Sequence, residues 1–311
     1  MPPSINYNSS RELRAFLDER GLGMRKKFGQ NFLVNPAARS CLLDALEFQA
    51  GDDVWEIGPG LGAMTFGLLE RGARITAFEI DTAFIQILKE IFSSETGGME
   101  PDTPCRAFRL IEGDVMKTWK AVFPQVLPEN LFLLGNLPYN LAAALLADFI
   151  ENRRFFKRIV VTVQREVAQR MAAGPGSSEY SSFSVLCSSV YKISPLSVIK
   201  SSSFYPIPRV DSQGVRLDLL PLREERNKYF YPLVRSLFSS RRKTIRNTLS
   251  SFVASVIMKQ KNPSDGKRGA ADIAAEVFNR SGLSGERRPE TLGIHEFTAI
   301  ASFLEETLRH G

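Results

Sequence analysis

The run Asn136-Leu137-Pro138-Tyr139 follows the apolar stretch Leu131-Phe132-Leu133-Leu134. It sets a carboxamide, a rigid turn and an aromatic ring at the end of an expected buried strand. The Asn136 side-chain oxygen can accept a hydrogen bond from an exocyclic amine while its amide nitrogen is fixed by backbone. Pro138 pre-sets the local φ, so a neighbouring carbonyl, that of Leu137, can take the second amine hydrogen. Two such acceptors draw the nitrogen lone pair out of conjugation, and Tyr139 offers a face on which a flipped base stacks. These parts suit methyl transfer onto an amino nitrogen better than hydride or phosphoryl chemistry. Taken singly, they also describe a strand-end turn with a core tyrosine.

A second cluster lies upstream, in Glu56-Ile57-Gly58-Pro59-Gly60-Leu61-Gly62. Gly58 and Gly60 let backbone approach a ligand at a strand-to-helix turn, and Gly62 favours close packing. Glu79 closes the next expected strand, roughly 20 residues on, where a carboxylate accepts from ribose hydroxyls. Nicotinamide and S-adenosylmethionine proteins share that pattern. Asp114, after the third strand, can accept from an adenine amine or cap a helix. Asp81 offers the same choice with less to favour a ligand role. Phe204, in a Pro-rich turn, is either the wall of a base pocket opposite Tyr139 or a core anchor. Phe32 either packs on the cofactor pocket or anchors the N-terminal segment.

These residues need a frame. Ser9 or Ser10 caps an expected helix through Arg20, ended by Gly21 and Gly23, and a second helix covers Pro36 to Leu46. Strands Asp53–Ile57 and Arg74–Glu79 alternate with helices Met64–Glu70 and Ala83–Phe92. Further strands fall at Ala107–Ile111, Leu131–Leu134 and Arg158–Val163. This α/β succession reads as an open, mostly parallel sheet covered by helices. Tyr191–Ile199 and Val215–Leu219 are expected to form an edge hairpin that makes the sheet mixed. Ser93 to Pro104 and Gly174 to Ser178 read as loops, and Asn262 to Gly269 as polar and breaker-rich. After Pro221 the pattern turns helical, over Tyr229–Phe238, Thr244–Met258, Ala270–Phe278 and Ile294–Leu308. The expected division is a leader at 1–24, a sheet domain at 25–220 and a small helical domain at 221–311.

The 311 residues are 43% hydrophobic and 24% charged, an ordinary globular composition. A net charge of +6 and an isoelectric point near 9.3 favour a polyanionic partner. Three basic patches are candidates for phosphate contact: Arg25-Lys26-Lys27; Arg153-Arg154 with Lys157-Arg158; and Arg241-Arg242-Lys243 with Arg246. A helix starting near the last would add the field of its N-terminus. Cys41, Cys105 and Cys187 are widely spaced without histidine companions, which argues against zinc and for a reducing compartment. Cys41 and Cys187 sit among apolar neighbours and are expected in the core. His295 and His310 lie far from the motifs, so triad chemistry has little support. No apolar run reaches membrane-spanning length, no secretory signal is evident at the start, and nothing demands an obligate oligomer.

With these motifs the chain resembles the small-subunit ribosomal RNA adenine dimethylases, the KsgA/RsmA family. The matching stretches are Lys27-Phe28-Gly29-Gln30-Asn31-Phe32-Leu33, Glu56–Gly62, Asn136-Leu137-Pro138-Tyr139-Asn140, Gln164–Ala168, Phe204–Ser212 and Arg241–Asn247. The resemblance implies a Rossmann-like class I methyltransferase fold with a mixed seven-stranded sheet and a helical C-terminal domain. It implies S-adenosylmethionine as methyl donor and N6 of two adjacent adenosines near the 3′ end of small-subunit rRNA as target, two methyls each. The substrate would be a hairpin in an immature small ribosomal subunit, in the cytoplasm. It assigns Asn31, Leu33, Gly58, Glu79, Asp114 and Asn136 to the cofactor, and Asn136, Leu137, Tyr139 and Phe204 to the base. Leu141-Ala142-Ala143 departs from the family's usual Ile-Ser-Thr and removes two hydroxyls; Ser239-Ser240 stands where many relatives have an amide. Alternatives are a large-subunit adenine methylase of the erythromycin-resistance type, an RNA-binding assembly factor, and a nicotinamide oxidoreductase.

Overall fold

A computed structural model describes residues 5–22, 30–93, 107–124, 130–137, 141–221, 227–240, 243–259 and 269–310. In chain order the elements begin with α1 (Ser10–Glu19), β1 (Phe32–Leu33), α2 (Pro36–Leu46), β2 (Asp53–Ile57), α3 (Ala63–Glu70), β3 (Arg74–Glu79) and α4 (Thr82–Ile91). There follow β4 (Phe108–Glu112), α5 (Val115–Val122), β5 (Leu131–Asn136), α6 (Ala142–Glu151), β6 (Arg158–Gln164), α7 (Arg165–Ala172) and α8 (Ser182–Ser188). The chain continues through β7 (Tyr191–Ile199), β8 (Phe204–Tyr205), β9 (Ser212–Leu219), α9 (Phe230–Phe238), α10 (Ile245–Lys259), α11 (Ala270–Ser281) and α12 (Ile294–His310).

Seven strands form one sheet in the order β4-β3-β2-β5-β6-β9-β7. The first five are parallel, and β9 runs antiparallel to β6. The mixed, seven-stranded Rossmann-like sheet is therefore present, with β7 at the edge. Both faces of the central strands are covered, which explains their unbroken apolar runs. On one face Val54, Ile75, Ala77, Phe132, Leu134 and Val160 pack with Leu42, Leu43, Leu46 and Leu68 from the flanking helices. On the other, Trp55 meets Phe78, Phe123, Phe149 and Phe156 at centroid distances of 4.7 to 6.4 Å.

Short polar residues start the helices. Asn35 accepts from Ala38 N with Pro36 at the first turn, and Asp81 and Asp114 accept from Ala83 N and Met116 N. Each follows a strand directly, so the caps fix where the strand ends stop.

Contacts divide the chain into two units, Met1–Ala168 with Lys192–Leu219, and Gln169–Tyr191 with Leu220–Gly311. Two boundaries differ from the sequence reading. Residues 169–191 belong with the helical unit, where Tyr180 and Val185 share a core with Phe230, Leu249, Val277 and Phe297. Residues 10–19 are no detached leader: Leu13 and Leu17 of α1 are buried against Leu61, Phe84 and Ile87. Cys41 is exposed, because α2 turns Leu42, Leu43 and Leu46 inward; Cys187 is buried as expected, and burial pushes its thiol pKa up. Residues 94–106 and 260–268, which hold most of two expected loops and Cys105, lie outside the described residues. No described helix is long and apolar enough to cross a membrane.

Candidate active site at the C-terminal ends of the strands

The parallel register of β3, β2 and β5 brings Glu79, the Gly58 turn and Asn136 to one end of the sheet. A cleft there is lined by Asn31, Leu33, Gly58, Gly60, Glu79, Asp114 and Asn136, all seven of the expected cofactor residues. Clefts form here because β-α turns leave the sheet at its carboxyl edge, with helix N-termini pointing in.

The glycine turn has the conformation its sequence suggests. Gly58 and Gly60 adopt φ of 70° and 60°, which side chains rarely tolerate. A Cβ on Gly58 would meet nothing within 4 Å, whereas one on Gly60 would lie 3.0 Å from the Phe32 ring. Phe32 thus packs on the turn beside the cleft, contacts Phe84 at 5.5 Å between centroids, and also joins the cluster that buries Leu13 and Leu17 of α1. Gly62 permits close packing, since a Cβ there would fall 2.7 Å from Phe92.

Glu79 is held as a rigid acceptor. Its Oε1 accepts from Ile80 N and Asp81 N, both at 2.8 Å, and its Oε2 from Gly60 N at 3.2 Å. Burial pushes its pKa up, while those three N–H groups oppose the shift. Asp114 caps α5 through Met116 N at 3.0 Å and lines the cleft. Asp81 caps α4 and accepts from the Gln30 amide at 2.8 Å, so its role is to tie residue 30 to the strand end.

Asn136 is half-buried, and its Nδ2 donates to Asn31 O at 2.7 Å. Asn31 precedes β1, whose pairing with β8 aligns Phe32 with Tyr205 and Leu33 with Phe204. The nitrogen end of the carboxamide is therefore fixed by backbone, and the oxygen is directed elsewhere. Leu137 turns its side chain into the core, 1% exposed, and its N–H donates to Thr162 O at 3.2 Å. Pro138 and Tyr139 lie outside the described residues. Phe204 is not an open wall: it is 2% exposed, packed with Leu33, Val160 and Ile199, because its pairing opposite Leu33 turns it into the core. At the start of α6, Leu141 makes no side-chain cap and lines the cleft.

Three cleft residues escaped the sequence reading. Glu56, 2% exposed, accepts from the Thr65 hydroxyl at 2.7 Å, and burial pushes its pKa up to about 7. Its place two residues before Gly58 was a usable signal. Tyr7 donates to Leu61 O at 2.9 Å; burial, with the Glu56 charge, pushes its pKa up to about 12. Arg39 donates to Leu33 O at 2.7 Å and to Tyr7 O at 3.2 Å. Tyr7 carries no sequence signal, since only the folded-back N-terminus brings it there, where Arg39 of α2 meets it.

Among the described residues of the sheet unit, the basic residues of the second patch do not line the cleft. Arg153, Arg154 and Lys157 precede β6, at the amino ends of the parallel strands, roughly 20 Å from Asn136 by strand rise. Arg154 lies over the Phe123 ring at 5.3 Å, and Lys157 donates to Asn130 Oδ1 at 2.7 Å. Arg158 is consumed by Asp218 at 2.5 Å and Glu47 at 2.7 Å. In the helical unit Lys243 is exposed, while Arg246 pairs with Glu286 at 2.9 Å. The first N–H groups of α10, those of Ile245 and Arg246, donate to the carbonyls of Arg287 and Gly285, so they are not open to a phosphate. Arg25, Lys26, Lys27, Arg241 and Arg242 lie outside the described residues.

A family model described as ribosomal RNA adenine dimethylase matches residues 21–272. The ribosomal RNA small subunit methyltransferase A of Treponema denticola is 41% identical over 308 residues, 97% of this chain and 96% of the relative. Its counterpart in Borreliella burgdorferi is 36% identical over 301 residues, 97% of this chain and 96% of the relative. Among solved structures, a dimethyladenosine transferase from Plasmodium falciparum has a TM-score of 0.69 at 24% identity, covering 88% of this chain and 97% of that one. That last likeness is one of fold.

Proposed function

The chain belongs to the ribosomal RNA adenine dimethylase family and is an S-adenosylmethionine-dependent rRNA adenine methyltransferase, and from that premise we propose its target and the roles of its residues. The target is N6 of two adjacent adenosines near the 3′ end of small-subunit rRNA, each dimethylated within an immature small subunit in the cytoplasm. The ribosomal RNA small subunit methyltransferase A relatives, similar along nearly the whole chain, support the choice of subunit.

The cleft fits the cofactor. The open space beside Gly58 is a cradle that any side chain would enter. The acidic lining of Glu56, Glu79 and Asp114 suits a ligand bearing a sulfonium charge. Asn31, Leu33, Gly58, Gly60, Glu79 and Asp114 would hold it, with Glu79 on the ribose hydroxyls and Asp114 on the adenine amine. When bound, the cofactor supplies an already electrophilic methyl group, so the chain's own task is orientation.

Asn136 Oδ1 and the Leu137 carbonyl accept the two hydrogens of the target amine and aim its lone pair. As positive charge develops on N6, the same acceptors stabilise it, and the proton leaves to water. Tyr139 stacks on the flipped base, and Leu137 and Pro138 set the turn. Phe204 supports the pocket from within the core, through Leu33 on the paired strand. Arg25, Lys26, Lys27, Lys243, Arg241 and Arg242 are phosphate contacts in this reading, recognising RNA shape and backbone. The hydrogen bond from Asn136 Nδ2 to Asn31 O carries the proposal, because it orients the carboxamide with its oxygen as the acceptor.

Base-resolution mapping of N6-methylation tests it, on immature small and large subunits incubated with labelled S-adenosylmethionine. Label confined to adjacent adenosines of the small-subunit RNA supports the reading. Label on large-subunit RNA, or none on the small, overturns it.

A further inference from the structure

Thr162 interrupts the valine-rich run Ile159-Val160-Val161-Thr162-Val163 of a strand buried on both faces. It is 1% exposed, and its Oγ1 has no hydrogen-bond partner among the described residues. A buried hydroxyl without a partner is unfavourable, and valine, its isostere, would pack the same space at lower cost. A hydroxyl kept in such a place invites the question of what it meets when the protein works.

Its surroundings narrow the answer. Thr162 is the register partner of Asn136 on the adjacent parallel strand. Aligned residues of neighbouring strands project from the same face, with backbones roughly 5 Å apart. The main chain already couples the two positions, since Thr162 O accepts from Leu137 N at 3.2 Å. The Asn136 amide nitrogen is committed to Asn31 O at 2.7 Å. Its oxygen has two lone pairs, one for the target amine and one for a further donor.

Resting on the function proposed above, we propose that Thr162 is a positioning residue for methyl transfer. With the target amine seated, its hydroxyl donates to Oδ1 of Asn136. The carboxamide is then held at both ends, nitrogen by Asn31 O and oxygen by Thr162 Oγ1, and cannot turn about its terminal torsion. The hydroxyl is unpaired before the base arrives and satisfied after, so its desolvation cost falls on the resting protein and favours the loaded site.

The test compares Thr162→Val and Thr162→Ser with the wild-type chain. Three quantities are measured: the thermal midpoint without ligand, the affinity for S-adenosylhomocysteine by calorimetry, and kcat and KM on immature small subunits. For Thr162→Val the expected results are a thermal midpoint equal to or above wild type, cofactor-product affinity within about twofold, and kcat lowered about tenfold with little change in KM. Thr162→Ser restores kcat to within about threefold. A Thr162→Val enzyme with wild-type kcat overturns the inference. So does a kcat loss that comes with a lowered midpoint, or one the serine variant shares, since each marks a packing role. Wild-type protein that methylates no small-subunit adenosine defeats the proposed function itself; an active wild type with an unaffected valine variant defeats only the role of Thr162.

Discussion

At the scale of residues the site separates binding from chemistry. Glu79, immobilised by three N–H groups, is placed to bind, whereas Asn136, anchored at its nitrogen, is placed to orient. Asn136→Ala should lower methylation at least about a hundredfold and leave S-adenosylhomocysteine affinity within about threefold. Calorimetry beside turnover checks it, and an equal loss of both would remove the orienting role. Glu56 yields a pH prediction. Its carboxyl, near 4.5 in the unfolded chain, is raised to about 7 in the fold. The stability that its protonated form contributes is complete below about pH 4.5 and is lost as pH rises through about 7. The full difference is of order 3 kcal/mol. Glu56→Gln should flatten that slope in ligand-free denaturation across this range; an unchanged slope would show that the carboxyl ionises freely.

At the scale of elements, α1 and the turn after β2 make the cleft a walled site. Leu13 and Leu17 bury α1 against Leu61, Phe84 and Ile87, and Tyr7 bonds the turn directly. Truncating Leu13 to Ala should cost about 2 to 4 kcal/mol of local stability. It should also weaken S-adenosylhomocysteine binding severalfold while residues of the helical unit keep their hydrogen-exchange protection. Uniform loss of protection throughout would mean that α1 is simply part of the general core. The turn is as constrained: Gly62 has φ of 90° and a Cβ would strike the Phe92 ring. Gly62→Ala should therefore destabilise by about 1 to 3 kcal/mol, read as a lower denaturation midpoint. The capping residues Asn35, Asp81 and Asp114 made these helix starts legible beforehand, because a side-chain acceptor before an apolar periodic run has few other uses.

At the scale of the molecule, the sheet sends its chemistry to one end and part of its positive charge to the other. Arg153, Arg154 and Lys157 stand at the amino ends of the strands, away from Asn136. Converting all three to Glu should leave methylation of a short RNA hairpin within about threefold. Affinity for the immature subunit, a ligand large enough to reach that end, should fall about tenfold with a reduced salt slope. Binding titrations at several salt concentrations decide it; a large loss on the hairpin would mean that the short RNA also reaches this end.

Much was decided by the sequence alone: the strand and helix succession, the glycine turn, Glu79, Asp114 and Asn136, and the helical texture after Pro221. These are readable because periodicity, caps and turn residues are local, and clefts open at the carboxyl ends of parallel strands. The tertiary structure decided the rest. It folded Tyr7 and α1 onto the turn, sealed Phe204 behind Leu33 and paired Arg246 with Glu286. It also set Thr162 opposite Asn136 on the neighbouring strand. Each of those outcomes depends on which distant segment arrives as neighbour, and no local pattern of residue types encodes that.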